Sequence, residues 1–211
     1  MTFSVDEATW KIRKKQFLDR FRRELKEGRV DPDIVDLLEM LNQREEYYTT
    51  SSCSGRIQVF EARHPGDKFN ITILGKWHAP VPCEEVRKAI KKAERYAWLV
   101  VQSPILHVVA RDMLSALKML TLAREVGFKH SGIQSIRHDR IVVEVLGSER
   151  IAIPVLWNGE QLVADEALEK LVEVCNYVLS TSKERLQKLK ETLRAGALDR
   201  VSTDFYSSGE R

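Results

Sequence analysis

The chain of 211 residues carries 34 Lys and Arg against 31 Asp and Glu, and 43% of its residues are hydrophobic. This composition is typical of a globular protein with a charge-rich surface. No stretch approaches the roughly 18 consecutive apolar residues of a membrane-spanning helix, which excludes a protein built on such helices.

The first ten residues, MTFSVDEATW, contain neither a basic segment nor an apolar core of the kind that a signal peptide has. We therefore expect a cytoplasmic protein that does not associate with a membrane. The three cysteines, Cys53, Cys83 and Cys175, are far apart and form no CxxC motif. We expect free thiols and no bound metal.

The first predicted helix is strongly basic. Residues 10–29, WKIRKKQFLDRFRRELKEGR, hold nine Lys and Arg and three Asp and Glu. Ser4 followed by Glu7 is a capping-box pattern, and Gly28 is suited to end the helix. A local basic field attracts polyanions, so Lys11, Arg13 and Lys14 are candidates for binding a polyanionic substrate. The alternative is a solvated helix face.

The second predicted helix follows at once and runs to about Asn42. Asp31 can cap it, and Pro32 is suited to its first position. Strands and helices then alternate. In chain order they are strands RIQVFEA and KFNITILGKWH, helix PCEEVRKAIKKAERY, strands AWLVVQ and PILHVVA, a helix from Asp112 to Val126, three strands around a tight turn near His138 and Asp139, and a helix from Asp165 to about Leu198.

This order predicts an α/β (α+β-like) fold with a mixed central β-sheet flanked by helices. We expect a single compact domain over residues 1–200 and a frayed tail over residues 201–211. No GxGxxG motif follows a strand, so the usual Rossmann methyltransferase fold is not expected. The third helix contains a second basic segment, residues 87–95, with five basic residues and one acidic residue.

The stretch YTTSSCSGRI, residues 48–57, is rich in hydrogen-bonding groups and immediately precedes a predicted strand. Hydroxyl groups both donate and accept, Gly55 allows close approach of a ligand, and Arg56 can grip a carboxylate or phosphate with two parallel bonds. Successive backbone N–H groups in such a loop can form an anion-binding nest. The alternative is a hydroxyl-rich turn with a structural arginine.

The chain resembles the wybutosine-synthesising protein 3 family of tRNA methyltransferases, whose pattern reads (S/T)-x-S-S-C-x-G-R. The residues that match it are Thr49, Ser51, Ser52, Cys53, Gly55 and Arg56. The likeness extends through GRVDPDIVDLLEMLNQREEYYTTSSCSGRI, SPILHVVARDMLSALKMLTLAREVGFKHSGI and IAIPVLWNGEQLVADEALEKLVEVCNYV, and so covers nearly the whole chain.

The resemblance implies transfer of a methyl group from S-adenosylmethionine to N4 of a tricyclic base. That base is 7-aminocarboxypropyl-demethylwyosine at position 37 of tRNA-Phe, so the expected partner is the anticodon stem-loop. The sequence itself does not determine the oligomeric state, and we favour a monomer. The alternative is a non-catalytic RNA-binding or assembly protein of the same fold.

The resemblance also suggests catalytic residues. Asp31 and His107 fall at the positions of the family's aspartate and histidine, and His78 lies near a second histidine position. Each residue has a structural alternative: Asp31 as a helix cap, His107 as a core histidine, and His78 bonded to a backbone carbonyl. Which of the three moves a proton stays open.

The six matching signature residues are the predicted cofactor-binding set. Whether Arg56 holds the donor or the substrate stays open. Cys53 can be read as a nucleophile of a hydrolase or redox enzyme, but direct methyl transfer favours a packing role. Ser131 and Gly132, in a segment that resembles another family block, are candidate substrate-binding residues.

Overall fold

The computed structural model describes residues 4–67 and 69–201. They form two compact units. Residues 4–54, 104–148 and 185–201 belong to the first, and residues 55–67, 69–103 and 149–184 to the second. Each unit is described by itself.

The helices are α1 (Glu7–Lys26), α2 (Val35–Gln43), α3 (Cys83–Ile90), α4 (Met113–Glu125), α5 (Asp165–Arg194) and α6 (Ala197–Arg200), with a short 3-10 turn at Pro32–Ile34. The strands are β1 (Tyr47–Cys53), β2 (Arg56–Glu61), β3 (Thr72–Trp77), β4 (Tyr96–Gln102), β5 (Ile105–Ala110), β6 (Gly132–Arg137), β7 (Arg140–Leu146), β8 (Arg150–Trp157) and β9 (Glu160–Gln161).

The first unit contains an antiparallel sheet in the order β1-β5-β7-β6. Side chains alternate between its two faces. One face, which includes Leu106, Val108 and Val143, belongs to a core that also contains apolar residues of α2 and α4. On the other face, Tyr48 and Val109 pack with Trp10 of α1. Helix α1 thus packs on part of the second face.

The second unit contains an antiparallel sheet in the order β3-β2-β4-β8-β9. Its main core joins Ile57, Leu99 and Val155 of the sheet to Val86 of α3 and Cys175 of α5. The predicted strand AWLVVQ is β4, at the centre of this sheet, and the predicted strand PILHVVA is β5, an inner strand of the first unit's sheet.

The predicted α/β class and the absence of a Rossmann topology are confirmed. The single mixed sheet is replaced by two sheets whose described pairings are all antiparallel. Connections such as the two residues between β6 and β7 are too short for a crossover, so they force antiparallel neighbours.

The start of α1 differs from the predicted capping box. Asp6 is the N-cap, and its carboxylate accepts a hydrogen bond of 2.9 Å from Thr9 N. Ser4 instead forms an isolated bridge with Asp112. Both residue types cap helices well, so local sequence does not separate them.

The predicted single-domain boundary at residue 200 stays a prediction. The predicted tail lies outside the described residues except for Val201. Among the described residues, no helix combines the length and apolar character that crossing a membrane requires.

Candidate active site

The signature stretch is a strand with a bulge, where the sequence predicted a loop. Thr49 pairs with Val108 and Ser52 with Leu106, so Thr50 and Ser51 together oppose His107 alone. The hydroxyl of Thr50 lies 3.5 Å from the carbonyl oxygen of His107. Bulges of this kind bend a strand and re-aim side chains, often beside active sites.

Two predicted cofactor residues of β1 differ in how their hydroxyls are satisfied. Thr49 is buried, and its backbone N and Oγ1 lie 2.8 and 3.2 Å from Oδ1 of Asn42. Ser52 Oγ is buried and has no hydrogen-bond partner among the described residues. A buried hydroxyl without a partner is costly, so Ser52 is the better candidate for a polar ligand.

His107 is oriented by a carboxylate on the next strand. Its Nε2 lies 3.0 Å from Oε2 of Glu144, its cross-strand neighbour on β7. Glu144 also accepts a bond of 3.3 Å from Gln134. The contact with Glu144 orients the imidazole ring of His107 and leaves Nδ1 as the ring nitrogen outside it.

Asp31 occupies the predicted cap position, but its side chain makes no capping hydrogen bond. Its Oδ2 instead accepts a bond of 2.8 Å from the backbone N of Ser54, just after β1. This long-range bond replaces the local one and ties the aspartate to the end of the signature strand.

Of the remaining signature residues, Cys53 is the last residue of β1 in the first unit and is a partly buried cysteine without a disulfide among the described residues, whereas Gly55 and Arg56 belong to the second unit. Gly55 has φ of +89°, a left-handed conformation that favours glycine. Its carbonyl oxygen lies 3.1 Å from Nδ1 of His78, which is the backbone contact expected as the structural alternative. Arg56 donates from Nε to Oε1 of Gln102 over 2.9 Å, and Gln58 donates to the same oxygen.

A cavity of about 510 Å³ opens on the partly covered face of the first sheet. His107, Thr50 and Ser51 line it, and Phe17 and Tyr48 contribute a stacked aromatic pair with centroids 5.0 Å apart. The other lining residues are Arg20, Val109, Gln134, Ser135, Arg137, Arg140 and Val142. The cavity therefore combines a predicted catalytic histidine with a predicted cofactor-binding hydroxyl.

The two candidates at the start of β6 are placed differently. Ser131 is 2% exposed, its Oγ accepts from Leu146 N over 3.1 Å, and its carbonyl accepts from Arg124 over 2.9 Å. These bonds give Ser131 a role in the fold. Gly132 pairs with Glu144, and an added Cβ would meet no atom within 4 Å.

The three basic candidates of α1 face different surroundings. Lys11 and Lys14 line a groove of about 930 Å³ between α1 and α2. Lys11 pairs with Glu7 at 2.7 Å, while burial lowers the pKa of Lys14, which donates to the carbonyl of Arg44. Arg13 is instead ion-paired with Asp139, in the turn between β6 and β7.

Sequence reasoning missed Arg137 and Arg140, which line the cavity beside His107. They stand directly opposite each other on β6 and β7. The signal available was the segment RHDR, because two arginines flanking a two-residue hairpin turn must face each other across the strands.

A family model described as Methyltransferase TYW3 matches residues 12–195. The chain belongs to the methyltransferase TYW3 family. The predicted family membership is therefore confirmed, and with it the prediction that this chain is a methyltransferase.

Relatives within the family are similar over most of their length. The chain is 44% identical over 181 residues to tRNA(Phe) 7-((3-amino-3-carboxypropyl)-4-demethylwyosine(37)-N(4))-methyltransferase 1 of Thermococcus kodakarensis, covering 85% of this chain and 91% of the relative. It is 38% identical over 186 residues to the methyltransferase of the same substrate name from Archaeoglobus fulgidus, covering 88% and 94%.

Solved structures share the fold of the family. The PH1069 protein from Pyrococcus horikoshii has a TM-score of 0.85 at 43% identity, covering 88% of this chain and 96% of that one. A hypothetical protein from Aeropyrum pernix has a TM-score of 0.70 at 32% identity, covering 77% and 96%.

Proposed function

We propose that this chain transfers a methyl group from S-adenosylmethionine to N4 of 7-(3-amino-3-carboxypropyl)-4-demethylwyosine at position 37 of tRNA-Phe. The observation that carries the proposal is the 44% identity to a relative whose name gives this activity. The alignment covers 91% of the relative and 85% of this chain. Little of the relative therefore lies outside the alignment, so its activity can be assigned to the part that the two chains share.

The chemistry of the signature residues fits the methyl donor. Its carboxylate, ammonium and ribose hydroxyls need hydrogen-bonding partners, and the predicted cofactor-binding set contains groups of that chemistry, such as the hydroxyl of Ser52 and the guanidinium of Arg56. The buried Ser52 Oγ, which lacks a partner among the described residues, would gain one. When bound, the donor supplies an electrophilic methyl group on a sulfonium centre.

The chain's own contribution is to position the acceptor base and to take up its proton. His107 is one candidate base, and its contact with Glu144 orients the ring and leaves Nδ1 outside that contact. His78 is the second candidate, and its ring is oriented by the bond from Nδ1 to Gly55 O. Asp31 offers a carboxylate that the backbone of Ser54 orients. Positioning supplies most of the rate acceleration, and a general base adds about 10²- to 10⁴-fold.

Mass spectrometry of nucleotide 37 tests the proposal. Wild-type protein is incubated with donor and with tRNA-Phe that carries the unmethylated precursor base. The mass of nucleotide 37 should increase by the difference between one methyl group and one hydrogen atom. Binding of both tRNA and donor without any mass gain would overturn the proposal in favour of a non-catalytic RNA-binding protein.

The same assay separates the three candidate bases. Asp31→Ala, His78→Gln and His107→Gln are compared in single-turnover reactions at saturating donor and tRNA. The variant that lacks the base should lose rate about 10²-fold or more and lose the acidic limb of the pH–rate profile. Equal rates in a variant and wild type would remove that residue from the catalytic set.

A further inference from the structure

The hairpin between β6 and β7 carries an unfavourable charge pair. Arg137 and Arg140 are the last pair of the ladder, separated only by the two turn residues. Like charges directly opposite each other destabilise an antiparallel pair. The electrostatic interaction between these two arginines therefore does not stabilise the hairpin.

The two carboxylates near this hairpin contact residues other than Arg137 and Arg140. Asp139, in the turn itself, is 6% exposed and ion-paired with Arg13 through Oδ2, while its Oδ1 has no hydrogen-bond partner among the described residues. Glu144, further along β7, holds His107. Among the described residues, neither Arg137 nor Arg140 forms an ion pair or a side-chain hydrogen bond. Their positive charge is thus uncompensated within the described structure.

The cavity that these arginines line is rich in hydrogen-bond donors, and none of the described residues in its wall carries a carboxylate. Arg20, which is paired with Glu24, adds a third guanidinium, and Gln134, Ser51 and Thr50 add neutral donors. A cationic sulfonium centre would be repelled here, whereas an anionic group would be held by several bonds at once.

The ligand chemistry that fits is an RNA phosphodiester. It is anionic at all relevant pH values, and its two unesterified oxygens match the donor fork of a guanidinium. The volume of about 510 Å³ lies within the usual range for a small-ligand pocket and is large enough to admit a splayed-out loop nucleotide.

We propose that Arg137 and Arg140 bind a phosphate of the tRNA anticodon loop in this cavity and thereby present nucleotide 37 to His107. This inference rests on the proposed function, and it assigns the cavity to the RNA backbone instead of the methyl donor. Arg137 and Arg140 are positioning residues, since they act on the substrate backbone and not on the reacting atoms.

The test measures tRNA-Phe binding by fluorescence anisotropy across a salt series, using the full chain. Arg137→Gln/Arg140→Gln is compared with wild type and with Arg63→Gln/Arg150→Gln. The control removes the same charge from two exposed arginines of the second unit that form no ion pair among the described residues. Donor binding is measured by calorimetry, and folding by thermal melting.

The hairpin variant should bind tRNA about tenfold more weakly per arginine removed, because hydrogen bonds to a charged group are lost. The slope of log K against log salt should decrease by about 0.7 for each lost phosphate contact. Donor affinity should stay unchanged. Arg137→Lys/Arg140→Lys should restore most of the salt slope and only part of the affinity, since lysine keeps the charge but not the fork.

Two outcomes would overturn the inference. One is a hairpin variant whose tRNA affinity and salt slope match those of the control variant. The other is weaker donor binding with unchanged tRNA binding, which would identify the bound oxyanion as the donor carboxylate. Neither outcome depends on catalysis, so failure here is distinguishable from failure of wild-type protein to methylate nucleotide 37.

Discussion

Two arginine sites, one in each unit, differ in whether carboxylates surround the guanidinium groups. In α3, Nη1 of Arg87 lies 2.8 Å from Oε2 of Glu84, Nη2 lies 3.6 Å from Oε1 of Glu169, and Nε lies 3.8 Å from Oδ1 of Asp165. The hydrogen bond to Glu84 raises the pKa of the Arg87 guanidinium. Arg137 and Arg140 of the first unit face each other without a carboxylate partner among the described residues. A compensated arginine serves the fold, whereas an uncompensated pair is available to a ligand.

This contrast changes the interpretation of the two basic segments of the sequence. In residues 87–95, Arg87 and Lys88 are engaged by neighbouring acids. The hairpin arginines, which do not stand out by charge count, lie in the cavity with His107. The proposed RNA contact is therefore identified by the lack of ion-pair partners at two arginines among the described residues and not by the local charge density of the sequence.

The largest expected effect concerns the open cavity. His107→Gln should lower the rate of methyl transfer by about 10²-fold or more, because a fixed proton acceptor is lost. The melting temperature should change little, since His107 is only partly buried. The matched control is His130→Gln, an exposed histidine of the same unit. If both variants transfer methyl groups at the wild-type rate, His107 is not the general base.

The second prediction concerns the thiol of Cys175, which is fully buried. Burial raises the pKa of the Cys175 thiol from 9.0 to about 11. The folded state favours the neutral thiol, so the thiol contributes fully to the free energy of unfolding below pH 9, and this contribution is lost as the pH rises towards 11. The difference between the two pKa values limits this contribution to roughly 3 kcal/mol.

Urea unfolding of wild type and Cys175→Ala at pH 8 and pH 11 measures that effect. The stability advantage of wild type over the variant should decrease between the two pH values. A constant difference would show that the thiol ionises as easily in the folded chain as in the unfolded one.

The third prediction separates function from stability at the hairpin. Arg137→Glu replaces a repulsive cross-strand pair by an attractive one, and should stabilise the chain by roughly 0.2–1 kcal/mol. The same change should weaken tRNA binding. A variant that is less stable and binds tRNA normally would assign Arg137 to the fold, and the contrast with Arg87 would disappear.

The smallest effect is expected at the compensated site. Arg87→Gln leaves Glu84, Asp165 and Glu169 without their shared partner. It should lower the melting temperature slightly, because exposed ion pairs contribute little. Affinity for tRNA should be unchanged. A loss of tRNA affinity as large as that of the hairpin variant would contradict the distinction.

Local patterns in the sequence predicted much of the fold. Asp112 caps α4, with its carboxylate 2.7 Å from Ser115 N, and Gly127, at φ of +107°, follows the helix. The tight turn at His138 and Asp139 is also observed. Each of these features depends on residues within a few positions of one another, so short-range propensity was sufficient.

The features that the sequence did not predict depend on contacts between distant residues. Asp31 binds Ser54 instead of capping its helix, and Ser131 bonds within its unit. The bulge that sets two signature residues against His107 is fixed by the register of β1 on β5. Register and long-range hydrogen bonds are set by tertiary packing, which residue patterns alone do not specify.

Photo-cross-linking tests the central claim most directly. A tRNA-Phe with a zero-length photoreactive nucleotide next to position 37 is irradiated with wild-type protein, and the cross-linked peptide is identified by mass spectrometry. The account predicts attachment within residues 134–142, around the hairpin arginines. Attachment to α3 alone, with none at the hairpin, would contradict it.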